Sequence, residues 1–384
     1  MLRYEFPDHF LWGASTSSYQ VEGGIEHTDW AHAAGEGRVP PTGRACDHYH
    51  RFEEDVTIAH SLGHNAHRFS IEWARVEPKE GEFDEEAIEH YRSVLRALRK
   101  RNIEPMITLW HVTLPLWFSE SGGFLSPDAP DMFARYCAYM VDKLGDLCTH
   151  FYTMHEPTMY ATQSYREGQW PPFERSFLKC MRVERALTRS HRAAYRAIKN
   201  VHNGFVVGLA MQILVFDGAT MLRRIQAHIL NWNWNHRFLR AVQDTTDTIG
   251  VNYYTYIPLG IPQTKKVSDV GGGIHPERLY DALMQVTRYD KPIMVTEAGC
   301  ADQADAFRGA YIQTSVSAVH RAITEGVDVR GFMYASLLDR YEWANGYSIR
   351  VGLVAVDFDT LERTVRPSAL VYKEICEENA LLEK

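Results

Sequence analysis

Apolar residues gather into eight short runs, at residues 10–15, 65–73, 103–110, 151–156, 205–212, 247–254, 292–297 and 329–338. Runs of this length, bounded by turn-forming residues, read as buried strands. Between them the apolar spacing becomes helical. In 85–101, Ile88, Tyr91, Leu95 and Leu98 recur three or four residues apart, and similar stretches cover 130–147 and 183–201. Strand and helix therefore alternate, which predicts a parallel sheet, because parallel neighbours need a crossover long enough to hold a helix. Eight repeats without a Pro- or Ser-rich linker favour an α/β fold closed into a single (β/α)8 TIM barrel, with residues 1–384 as one domain.

Composition narrows the setting. The 384 residues are 45% hydrophobic and 23% charged, as in a water-soluble globular chain, and no apolar stretch reaches the length needed to span a bilayer. A formal net charge of −8 argues against a nucleic-acid partner, which calls for a clustered positive face. The basic group Arg99, Lys100 and Arg101 reads as a helix C-terminus, where cations meet the negative end of the macrodipole. Met1-Leu2-Arg3-Tyr4-Glu5-Phe6 lacks a basic start and an apolar core, so the expected compartment is the cytoplasm. Six cysteines without a Cys-x-x-Cys pair are expected to be reduced and mostly buried. Gly271-Gly272-Gly273, inside the irregular stretch 256–274, reads as part of a long loop after the sixth strand. It lacks the Lys-Ser/Thr of a phosphate cradle. Eighteen histidines show no His-Glu-x-x-His spacing; His48, His50, His60, His64 and His67 read as surface or core partners, and no metal or cofactor is expected.

In a barrel of this kind the C-terminal ends of the strands form the active face. Polar residues collect there: Gln20, Arg68, Trp110-His111, Glu156, Asn252, Tyr254, Glu297 and Glu342-Trp343. One or two hydrogen-bonding groups per strand end suit a hydroxyl-covered ligand. Two glutamates, in Thr153-Met154-His155-Glu156-Pro157 and Val295-Thr296-Glu297-Ala298-Gly299, close the fourth and seventh strands. Such a pair is the minimum kit for glycoside hydrolysis: one carboxyl protonates the leaving oxygen, and the other attacks the anomeric carbon or activates water. Retaining chemistry requires the two carboxyls about 5–5.5 Å apart, and inverting chemistry a longer separation that admits water.

Several segments resemble glycoside hydrolase family 1 in order and spacing: Phe10-Leu11-Trp12-Gly13-Ala14-Ser15 with Tyr19-Gln20-Val21-Glu22-Gly23, Asn65-Ala66-His67-Arg68-Phe69-Ser70, Trp110-His111, Gly250-Val251-Asn252-Tyr253-Tyr254, and Leu337-Leu338-Asp339-Arg340-Tyr341-Glu342-Trp343. The resemblance implies a retaining β-glycosidase acting on a small-molecule or oligosaccharide glycoside, with Glu156 as acid/base and Glu297 as nucleophile. It also implies that Gln20, His111, Glu342 and Trp343 bind the non-reducing sugar. Arg68 and Tyr254 would sit beside the nucleophile, and Asn252 would support the acid/base. Among the tryptophans, Trp110, Trp117, Trp170 and Trp343 are candidates to stack on a sugar, and Trp12 and Trp73 to lie in the core.

The chain departs from the family pattern at two positions. His155 stands where an asparagine usually contacts the sugar 2-hydroxyl, and it is expected to titrate near neutrality beside two carboxylates. Ala335 stands where a tryptophan usually forms part of the sugar platform, so either Tyr334 or a loop aromatic compensates, or the subsite is wider and takes a modified glycosyl unit. Glu342 would repel a 6-phosphate, which favours neutral sugars. The chain is also shorter than typical relatives, with the trimming placed around 168–182 and 216–226, which implies an open aglycone side. The alternative from another class is a sugar-binding barrel that keeps both carboxylates and turns over poorly because of His155 and Ala335.

Overall fold

In a computed structural model, which describes residues 2–262 and 267–383, eight parallel strands close into a barrel in chain order. They are β1 (Leu11–Ser15), β2 (Ala66–Ser70), β3 (Glu104–Trp110), β4 (His150–His155), β5 (Val206–Gln212), β6 (Thr248–Tyr253), β7 (Ile293–Ala298) and β8 (Val329–Ala335), which pairs back onto β1. Each apolar run holds one strand, with ends shifted by a residue or a few. Inside the barrel, Ala66, Met106, Tyr152, Ala210, Met294 and Met333 form their own buried cluster, separate from the larger core between strands and helices. These side chains fill the interior, which is a packed core and not a pore. The close approach of β1 to β2 requires Gly13, whose added Cβ would lie 1.9 Å from the Ala66 carbonyl oxygen.

The helices follow the predicted faces. Glu85–Lys100 buries Ile88, Tyr91, Leu95 and Leu98, and it starts at Asp84, whose carboxylate accepts from the Glu86 and Ala87 amides. Arg99 and Lys100 occupy its last turn. The helix expected over 130–147 spans Ala129–Leu144. The one expected from 183 already begins at Phe177, where Ser176 caps it by accepting from the Lys179 amide. Its first turn leaves Phe177 and Leu178 exposed, so no buried face announces it in the sequence.

The reading of 256–274 as loop is corrected: Tyr256–Leu259 is a strand that pairs in parallel with Val215–Gly218 outside the barrel. Residues 263–266 of that stretch lie outside the described residues. Two further pairings, Leu2–Glu5 with Ala380–Glu383 and Val354–Val356 with Arg363–Val365, also lie outside the barrel. Trp12, Trp73 and all six cysteines are buried. Among the described residues, no helix is long and apolar enough to cross a membrane.

Candidate active site

Glu156 directly follows β4, where its amide still donates to the Ala210 carbonyl at 2.7 Å. Its φ of 46° is left-handed, a conformation that a non-glycine residue keeps only where its surroundings enforce it. From β6, the Asn252 Nδ2 donates to Glu156 Oε1 at 2.7 Å. The Asn252 Oδ1 accepts from the Thr296 hydroxyl at 2.6 Å, which fixes the orientation of the amide. Glu297, on β7, is gripped from two sides: Arg68 Nη1 donates to Oε1 at 2.5 Å, and the Tyr254 hydroxyl donates to Oε2. Arg68 is in turn steadied by Thr108, whose hydroxyl accepts from Nε at 3.0 Å.

His155 stands between the two carboxyl groups. Its Nδ1 accepts from Arg68 Nη2 at 3.0 Å and Asn252 Nδ2 at 3.4 Å, which leaves the ring proton on Nε2. Nε2 lies 3.7 Å from Glu156 Oε1, and Nδ1 lies 3.7 Å from Glu297 Oε1, so one imidazole reaches toward both groups. The expectation that His155 titrates near neutrality does not hold: burial, reinforced by Arg68 and Arg340, pushes its pKa well below the ordinary value. His111 stacks on it, with ring centroids 3.7 Å apart and planes at 14°, and is likewise held neutral by burial.

The same environment splits the two carboxyls. Burial, followed by the charge of Glu297, pushes Glu156 up to about 8. Burial would raise Glu297 as well, but the charges of Arg68 and Arg340, with smaller help from the Tyr254 hydroxyl, outweigh it and hold that carboxyl below its ordinary range. At neutral pH one group therefore carries a proton and the other a charge, the division of labour that acid and nucleophile require.

The pair opens into a cavity of about 600 Å³ lined by Gln20, His111, His155, Glu156, Tyr254, Glu297, Ala335, Arg340, Glu342 and Trp343, among others. Arg68 and Asn252 stand fully buried behind this wall. The Gln20 amide is already engaged, accepting from Ser17 at 2.7 Å and donating to the Tyr341 carbonyl at 2.6 Å. Of the four tryptophans proposed to stack on a sugar, Trp170 and Trp343 line the cavity and pack on each other at 5.6 Å. Trp110 and Trp117 do not. Trp110 donates to the Thr113 carbonyl and packs against Phe124, and Trp117 donates to the Glu77 carbonyl. Tyr334 does not replace the missing aromatic wall, because it alternates to the opposite face of β8 and takes a hydrogen bond from Arg308. Ala335 shares the cavity instead with Cys300, Ala301, Tyr311 and Val351. Among the lining residues to which the sequence assigned no role is a charged one, Arg340, whose Nε donates to Glu342 Oε1 at 2.5 Å. Its place in a motif beside Glu342 was the available signal, but the direction of its side chain was not legible.

His111, His155 and Glu297 bring potential donor atoms within 4.8 Å of one another. Arg68 already donates to both His155 Nδ1 and Glu297, so a metal ion there would compete with a buried guanidinium.

The family description "Glycosyl hydrolase family 1" matches residues 2–243 and 261–381. Beta-glucosidase A of Acetivibrio thermocellus is 29% identical over 446 aligned positions, covering 99% of this chain and 100% of the relative. A beta-galactosidase of Saccharolobus solfataricus is 31% identical over 481 positions, covering 99% of this chain and 97% of the relative. Among solved structures, a beta-glycosidase from Pyrococcus horikoshii superposes with a TM-score of 0.93 at 34% identity, covering 100% of this chain and 97% of that one. A beta-glucosidase from Thermotoga maritima in complex with deoxynojirimycin gives 0.92 at 27% identity, covering 99% of this chain and 100% of that one. With sequence and barrel matched along their whole lengths, the chain is a glycosidase and belongs to glycosyl hydrolase family 1.

Proposed function

We propose that residues 1–384 form one catalytic domain, a retaining β-glycosidase that removes a terminal β-linked sugar through a glycosyl-enzyme intermediate. The observation that carries this reading is the split between the carboxyls: Glu297 charged between Arg68 and Tyr254, Glu156 protonated against Asn252. In the first step the Glu297 carboxylate attacks the anomeric carbon, the bond to the aglycone oxygen breaks, and Glu156 gives that oxygen its proton. Glu297 is now an ester without charge, so the repulsion that helped raise Glu156 disappears. Glu156 then accepts a proton from water as the water oxygen attacks the anomeric carbon and Glu297 leaves as carboxylate. His155, with its Nε2 proton beside Glu156, offers a donor where the family's asparagine usually stands.

Gln20, His111, Glu342 and Trp343 supply the sugar site in this reading, and neutral sugars are its reference substrates. That preference treated Glu342 as an unopposed charge. Its pairing with Arg340 weakens charge as a filter on the glycosyl unit.

A fluorinated glycoside that traps the glycosyl-enzyme tests the proposal. A mass increase confined to the peptide containing Glu297 is expected, and Glu297→Ala abolishes it. If several sugar configurations bind measurably and none leaves an adduct, the protein is the sugar-binding barrel instead.

A further inference from the structure

Arg340 is a charged group on the cavity wall that the hydrolysis above uses for its field on Glu297 and not as a hydrogen-bond donor. Its side chain is 7% exposed, and the hydrogen bond it makes is that from Nε to Glu342. Nη1 is buried without any partner. Buried guanidinium nitrogens are rarely left so, because desolvating a cation is compensated only by acceptors. The partner is therefore to be sought in what the cavity binds. Arg340 follows β8 in the chain and shares the cavity lining with Ala335, near enough to Glu297 for its charge to lower that carboxyl.

We infer that this cavity accepts β-linked uronic acids, with Arg340 donating to the carboxylate on the exocyclic carbon of the sugar; the inference rests on the glycosidase reading above. Three features fit a carboxylate. The guanidinium fork matches its planar pair of oxygens, and Nη1 supplies a donor that has no other acceptor. The charges on the site balance at neutral pH, Arg68 and Arg340 against Glu297 and Glu342, with Glu156 protonated below about 8, so a monoanion meets no net repulsion. A phosphate dianion carries twice that charge beside Glu342. The exocyclic carbon also points away from the anomeric centre, so the carboxylate can meet Arg340 without displacing the bond to be cleaved.

The test compares kcat/KM for para-nitrophenyl β-D-glucuronide, β-D-glucoside and β-D-glucoside 6-phosphate on the wild type, Arg340→Gln and Arg340→Lys. The glucuronide is expected to be hydrolysed by the wild type, and the glucuronide-to-glucoside ratio to fall at least about tenfold in Arg340→Gln, with Arg340→Lys between the two because it keeps the charge and loses the fork. Where a variant is too weakly active to assay, competition by free D-glucuronate against a fluorescent glucoside in the wild type reads the same contact, and stronger competition by D-glucuronate than by D-glucose is expected. Hydrolysis of the glucoside with the glucuronide inert overturns the inference and leaves the glycosidase intact, as does a ratio unmoved by both substitutions. A protein inert on every glycoside, with no trapped adduct, refutes the underlying reading instead.

Discussion

Glu156 and Glu297 are the same side chain in two environments, and the difference lies in which groups reach each carboxyl. Glu297 faces Arg68, Arg340 and the Tyr254 hydroxyl; Glu156 faces an uncharged amide and the charge of Glu297 itself. The rate should therefore depend on pH through these two groups and not through histidine, since burial keeps both His155 and His111 neutral. In the free enzyme kcat/KM should decline as pH rises through about 8, where Glu156 loses the proton it must donate. Glu156→Gln is expected to lower kcat/KM about 10²–10⁴-fold for a poor leaving group and to remove that basic limb. A basic limb that survives the substitution would assign the acid to another residue. Both glutamates were legible because each ends an apolar run inside a recurring segment. The tautomer of His155 was not, since it is set by Arg68 and Asn252, residues 87 and 97 positions away.

Elements whose signal is local came through the sequence well. The helix Glu85–Lys100 combines a buried apolar stripe with a capping Asp84, both contained in one short segment. Because that cap satisfies the amides of Glu86 and Ala87 far from the site, Asp84→Ala should destabilise the protein by about 1 kcal/mol in denaturant unfolding while kcat/KM stays at the wild-type value. A change in kcat/KM would mean that this helix is coupled to the cavity. Elements whose stability comes from a distant partner were missed. Tyr256–Leu259 is a strand only because Val215–Gly218 lies beside it, and Phe177 begins a helix although it and Leu178 stay exposed and only Cys180 of the first turn is buried. The same reason misplaced Trp110 and Trp117: an aromatic at a strand end or in the following loop can turn toward the cavity or away from it, and their indole N–H groups found the carbonyls of Thr113 and Glu77.

For the molecule as a whole, buried acids tie folding to pH. Burial is the leading cause that pushes Asp29 up to about 8, Glu72 to about 7 and Glu156 to about 8. The folded state thus keeps protons that the unfolded chain releases near its ordinary carboxyl range. Their contribution is fully present below that range and is lost as pH rises through about 7 to 8. Geometry agrees for Asp29, since its Oδ1 accepts from two amides while Oδ2 is buried without a partner, as suits a protonated oxygen. The buried neutral histidines act in the opposite sense, so the test compares two chains: the difference in thermal midpoint between Asp29→Asn and the wild type should move in favour of the variant from about pH 5 to about pH 9. A difference that is the same at the two pH values would contradict a protonated Asp29. The sequence by itself determined the alternation of eight strands with helices, the family pattern and the two glutamates, because periodicity and motif spacing are written along the chain. Only the tertiary structure decided which charges meet: barrel closure brings Arg68 to Glu297, Asn252 to Glu156 and Arg340 to the cavity wall. The electrostatics that separate the two glutamates, and that leave Arg340 with a buried nitrogen lacking an acceptor, depend on distances across the barrel and not on order along the chain.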